Sequence, residues 1–108
     1  MPDVLWLDDI RQPWKHGYMG AHWVKTAEEA IAALATGKFT FASLDHDLSE
    51  MATIGIPQPG EKTGYDVVLW MEETGNWPEN GVRVHSLNPA GKARMLVAIE
   101  RHYGRLFQ

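Results

Sequence analysis

Val4-Leu5-Trp6-Leu7-Asp8-Asp9 and, further on, Phe39-Thr40-Phe41-Ala42-Ser43-Leu44-Asp45-His46-Asp47 decide the fold. Each is a short apolar run halted by acids. The first is apolar at four consecutive positions, with no in-and-out alternation, which is how a strand buried on both faces of a parallel sheet reads. The second reads as a strand over Phe39 to Leu44. His22-Trp23-Val24-Lys25 is shorter and more polar and suits an edge strand, and Val82-Arg83-Val84-His85 supplies a fourth.

Helical segments separate these runs. Thr26 with Glu29 forms a capping box, Ala27 to Ala35 are strong helix formers, and Gly37 stands where a C-terminal cap belongs. Tyr65 to Glu73 reads as a second helix, started by Thr63 or Gly64 and stopped by Gly75. Asn88-Pro89 opens a last helix, with Met95, Ile99, Tyr103 and Leu106 forming one apolar stripe. Strand, helix, strand, helix, strand implies right-handed crossovers and a parallel sheet. Two connections are irregular. Ile10 to Gly20 contains Pro13, Gly17 and Gly20, so any helix there is short or missing; Leu48 to Thr63, with Gly55, Pro57, Pro59 and Gly60, reads as a flap.

The chain has 108 residues, which bounds it to one domain spanning 1–108, and 44% hydrophobic with 10% aromatic residues can fill a core. It contains no cysteine, so disulfide scaffolds and thiolate-bound zinc or iron–sulfur sites are excluded. A net charge of −4 argues against a partner such as long nucleic acid or an anionic membrane. No apolar stretch approaches a membrane span, and no basic segment leads into an apolar run at the N-terminus, so a cytoplasmic location is expected.

In an open parallel sheet all strand C-termini share one edge, and ligands bind there. That edge would gather Asp8, Asp9, Asp45 and Asp47 with His46, His85, Ser86 and Asn88. Clustered carboxylates raise one another's pKa unless a cation neutralises them. Oxygen ligands without cysteine suit a hard divalent ion, Mg²⁺ first and Mn²⁺ or Ca²⁺ next. Read singly, these acids are loop starters or helix caps, and each histidine is a half-buried residue bonded to backbone. Their joint placement at three strand ends carries the functional reading. His16, His22 and His102 have no such setting. The start of the last helix offers free N–H groups to an anion, Gly91 would allow a phosphate to come close, and Lys92 or Arg94 would add charge. Trp6 and Trp70 read as core, whereas Trp14, beside Pro13, could stack on a base or sugar.

Leu-Asp-Asp-Ile-Arg-x-Pro (7–13), Ser-Leu-Asp-His-Asp-Leu (43–48) and His-Ser-x-Asn-Pro-x-Gly (85–91) resemble, in order, the motifs of cyclic-phosphate-processing receiver domains, trimmed relatives of two-component receivers. The resemblance implies a three-layer receiver-like (flavodoxin-like) α/β fold with a mostly parallel four-stranded sheet. One helix follows the fourth strand, so the fifth strand of an ordinary receiver, and its phosphate-contacting Lys, is missing. His46, His85 or Lys92 would supply that charge. It further implies Asp8, Asp9, Asp45 and Asp47 as metal ligands, and Arg11, Ser86, Asn88, Gly91 and Lys92 as phosphate-binding residues.

The leading expectation is a metal-dependent phosphoesterase acting on a cyclic phosphate or small nucleotide phosphodiester. Asp45 would serve as third ligand or nucleophile, His46 and His85 as general base and acid, and Asp47 could orient either histidine. The alternatives are a non-catalytic module that sequesters a nucleotide or partner protein, and a phospho-accepting regulator.

Overall fold

Four strands form one parallel sheet in the order β2-β1-β3-β4, namely β1 (Val4–Leu7), β2 (His22–Val24), β3 (Phe41–Leu44) and β4 (Val82–Val84). The structure, a computed structural model, describes residues 2–48 and 62–106. Helix α1 (Ala27–Ala35) links β2 to β3, α2 (Gly64–Thr74) precedes β4, and α3 (Pro89–Leu106) follows it. Most of the stretch read as a flap lies outside the described residues.

The helix boundaries follow from local chemistry. Thr26 accepts the Glu29 N–H at 3.1 Å. The return bond of that cap runs from the Lys25 N–H to the Glu29 carboxylate at 3.4 Å, one residue before the expected position. Thr63 and Asp66 form a complete capping box on α2, which ends at Gly75 with φ 72°. Strand ends differ from the sequence reading by one or two residues: β3 starts at Phe41, β2 stops before Lys25, and β4 stops before His85. In the last case the ladder still reaches His85, whose N–H donates to the Leu44 carbonyl at 3.0 Å.

The two faces of the sheet are covered differently. Leu5, Leu7, Val24, Ala42, Leu44 and Val84 meet Ala30 and Leu34 of α1, Val67 and Met71 of α2, and Met95 and Ile99 of α3 in one buried apolar cluster. The alternate positions carry Trp6, Trp23, Phe41, Ser43 and Arg83, in register as Trp6 with Trp23 and Ser43, and Ser43 with Arg83. Among the described residues, no α-helix covers this second face. What the described residues place there is the segment after β1, which carries the 3-10 turn at Pro13–His16. Trp6 stacks on His16 at 5.6 Å and packs on Tyr18 at 5.1 Å, while Arg83 donates to the Tyr18 hydroxyl at 3.0 Å. Trp6 is buried, as expected, but in this aromatic layer and outside the helix-side cluster. Trp70 packs partly buried against that cluster, and Trp14 is 49% exposed with its edge on Trp23.

Candidate metal and phosphate site at the strand ends

Register places the site. Leu7 pairs with Leu44 and Leu44 with Val84, so the next residues, Asp8, Asp45 and His85, form one row across three adjoining strands. Main-chain bonds extend the ladder to that row. Asp45 N–H donates to the Leu7 carbonyl at 2.9 Å and Asp8 N–H to the Val24 carbonyl at 3.1 Å. One ligand atom from each of Asp8, Asp45 and His85 lies within 4.8 Å of the others. A cavity of about 210 Å³ beside them is lined by Asp8, Asp9, Ile10, Arg11 and Asp45.

Asp8 is buried and fully hydrogen-bonded. Its Oδ1 accepts the N–H groups of Ile10 at 2.8 Å and Arg11 at 2.9 Å. Its Oδ2 accepts from His85 Nε2 at 3.0 Å and from Arg11 Nη1 at 3.2 Å. Burial pushes the carboxyl upward, but the bonds from His85 and from the Arg11 and Ile10 amides outweigh it and hold Asp8 below the usual range. Two indoles brace the same turn: Trp23 Nε1 donates to the Asp8 carbonyl at 2.6 Å and Trp6 Nε1 to the Arg11 carbonyl at 2.8 Å.

Asp45 sits on the other side of the balance. Burial, and then the negative charge of Asp8, raise its pKa to about 7 against the pull of Arg11, the His46 N–H and the Ser86 hydroxyl. Arg11 Nη1 lies 3.6 Å from Asp45 Oδ2, so one guanidinium serves both carboxylates.

His85 is held on three sides. Its ring lies 4.0 Å from that of Trp6 with only 4° between planes, its Nε2 faces Asp8, and its Nδ1 lies 2.8 Å from Ser43 Oγ. An ionised carboxylate only accepts, so Nε2 carries the proton toward Asp8 and the Ser43 hydroxyl donates to Nδ1. Burial first, with Arg11 and His16 nearby, holds His85 below the usual histidine range despite the favourable Asp8 contact.

His46 takes the opposite tautomer. Its Nδ1 lies 2.8 Å from Asp47 Oδ1, so the proton sits on Nδ1 and the lone pair on Nε2. Asp47 Oδ1 also accepts from Asn88 Nδ2 at 3.3 Å, Asn88 Oδ1 accepts the Gly91 N–H at 2.9 Å, and Ser86 Oγ accepts the Asn88 N–H at 3.0 Å. A Cβ on Gly91 would collide with the His46 ring. The close approach that Gly91 permits here is therefore that of an imidazole. The Lys92 N–H is spent on the Asn88 carbonyl at 2.9 Å, inside the helix.

The expected residues thus sort into two groups. Asp8, Asp45, His85 and Arg11 converge. Asp47, expected as a ligand, instead binds His46 and Asn88, and Asp9 lines the cavity without its carboxylate joining the three-residue cluster. Trp6 and Gly64 are supporting residues outside the quoted motifs, and Ser43, which opens the second motif, is a supporting residue to which the motif assigned no role. A Cβ on Gly64 would collide with the Asp45 carbonyl oxygen, so only glycine lets α2 start this close to the acidic row.

A parallel sheet ending in a row of two aspartates and a histidine defines the class, a receiver-like α/β domain. The signal receiver domain of a protein described as a Luxo repressor from Vibrio parahaemolyticus shares this fold, with a TM-score of 0.50, 18% identity, and coverage of 94% of this chain and 89% of that one. The chain belongs to the cyclic-phosphate processing receiver domain family, whose model matches residues 4–101. No curated protein matches it. Among the described residues, no helix is long and apolar enough to cross a membrane.

Proposed function

We propose that the protein is a divalent-cation-dependent phosphoesterase that opens or hydrolyses a cyclic phosphate or small nucleotide phosphodiester in the cytoplasm. The observation that carries this reading is the convergence of Asp8, Asp45 and His85 within 4.8 Å beside a cavity that Arg11 also lines. The donor set fits a divalent ion: the two carboxylates suit Mg²⁺ or Mn²⁺, while the His85 Nε2–H stays on Asp8. Asp45 in particular is costly to keep ionised without added positive charge, as its raised pKa shows. When bound, such an ion supplies Lewis-acid stabilisation of the phosphoryl oxygens.

The chain's own residues supply the rest. Arg11 Nη1 offers charge to the phosphate. His85, once a second proton is added at Nδ1 with the Ser43 hydroxyl turned to accept it, would be the imidazolium that gives its Nε2 proton to a leaving oxygen. His46 is oriented by Asp47 so that its Nε2 can accept the proton of an attacking water. Ser86 and Asn88, just before α3, and Lys92, in its first turn, would meet the phosphate through their side chains, since the Asn88, Gly91 and Lys92 N–H groups are already bonded.

Incubation with Mg²⁺ or Mn²⁺ and a panel of cyclic nucleotides, read by chromatography, tests the proposal. Turnover that Asp45→Asn abolishes is expected. Unchanged hydrolysis in that variant overturns the mechanism, and tight binding without product over hours favours sequestration instead. A phosphoryl mass increase after acetyl phosphate would move the reading to a phospho-accepting regulator.

A further inference from the structure

The acceptor capacity of Asp8 is already full. Its two oxygens take four donors, about as many as a carboxylate can accommodate. A cation held by Asp8 and Asp45 would therefore displace one of them. Two of the four are main-chain amides of the braced turn. His85 is clamped by Ser43 and Trp6. The Arg11 side chain is 28% exposed and reaches both carboxylates through one nitrogen, so it is the donor with room to leave.

Charge decides where the displaced group goes. Arg11 cancels one of the two negative charges that Asp8 and Asp45 carry when ionised. A divalent ion in its place cancels both and leaves the guanidinium unpaired at the mouth of the cavity, where an anion would complete the set.

We infer that Arg11 makes cation and phosphate bind as a coupled pair: it occupies the carboxylates in the resting site and passes to the phosphate when a divalent ion takes its place. This rests on the function proposed above and adds the residue that determines what the site accepts. Coupling of this kind is reciprocal, so phosphate tightens the cation as much as the cation tightens phosphate. The site then discriminates against bare cations and against phosphate without a cation, since each alone leaves a charge unmatched.

Calorimetric titration of the full chain with Mg²⁺, with and without inorganic phosphate and corrected for magnesium phosphate, tests this without any turnover. Phosphate should tighten Mg²⁺ binding to the wild type roughly tenfold, within the usual range for coupled sites. Arg11→Gln should bind Mg²⁺ alone several-fold more tightly than wild type and lose the phosphate effect. Arg11→Met carries the same expectation if the glutamine variant does not fold. Equal or weaker Mg²⁺ binding in the variant, or coupling that survives in it, overturns the inference while leaving the proposed function standing. A wild type that binds no Mg²⁺ with or without phosphate overturns both.

Discussion

The two faces of the sheet are built from the same four strands and do different work. On the helix side, Leu5, Leu7, Ala42, Leu44 and Val84 are interchangeable in kind: apolar, buried, and packed against α1, α2 and α3. On the other side, Trp6 and Ser43 are just as buried, but each directs a polar atom to a named partner. Burial on the first face stabilises the fold through area alone. Burial on the second also aims His85 and braces the turn that carries Asp8 and Arg11. The difference teaches that a 3-10 turn and a few stacked rings can orient side chains that a packed apolar face would only bury.

That contrast can be broken in measurable ways. The largest expected effect comes from Asp45 and depends on pH. Its folded pKa of about 7 lies above the ordinary 3.8, so between those values the folded chain keeps a proton that the unfolded chain releases. Stability from this group is full below about pH 4 and falls as pH rises through 7, by up to ~4 kcal/mol. Asp8 and His85, both shifted down, lose stability in the opposite direction, as pH falls, so the clean measurement is a difference. Urea melts of Asp45→Asn against wild type from pH 4 to 8 should show the variant gaining steadily; a constant gap would place Asp45 in a water-like setting.

Next in size is Leu5→Ala on the helix side, expected to cost about 3 kcal/mol in chemical denaturation while leaving Mg²⁺ affinity unchanged. Ser43→Ala on the opposite face should cost less, about 2 kcal/mol for the unsatisfied Nδ1, yet weaken Mg²⁺ binding about tenfold. If both variants moved affinity alike, the distinction between the faces would fail. The smallest effect belongs to a site remote from both, where Thr26→Ala should cost about 1 kcal/mol through the α1 cap and alter no binding.

Much of the architecture was legible in the residues. Apolar runs stopped by acids marked β1 and β3, and the caps at Thr26, Thr63 and Gly75 bounded the helices within a residue. Which carboxylates converge was less legible, for a reason of register. Asp8 and Asp45 directly follow Leu7 and Leu44, which pair, whereas Asp9 and Asp47 lie beyond the row that the ladder extends. Ser43 is a polar residue inside an apolar strand, and nothing local tells it from an ordinary strand serine. Its meaning appears only when pairing with Arg83 brings the histidine two residues later onto the same face. Gly91 raised the expectation of a close ligand, and its neighbour proved to be the His46 ring. Spacing reveals that something comes near a glycine, and only the folded chain reveals what.

The bonds from the Trp6 and Trp23 indoles to the Arg11 and Asp8 carbonyls have a practical consequence. Indole emission responds to the polarity and motion of whatever its N–H touches, and these two fluorophores hang directly on the turn from which the Arg11 side chain would let go. With Trp14, Trp70 and Trp77 changed to phenylalanine, the remaining pair would form a label-free optical gauge, letting stopped-flow spectroscopy time that release in a single mixing experiment.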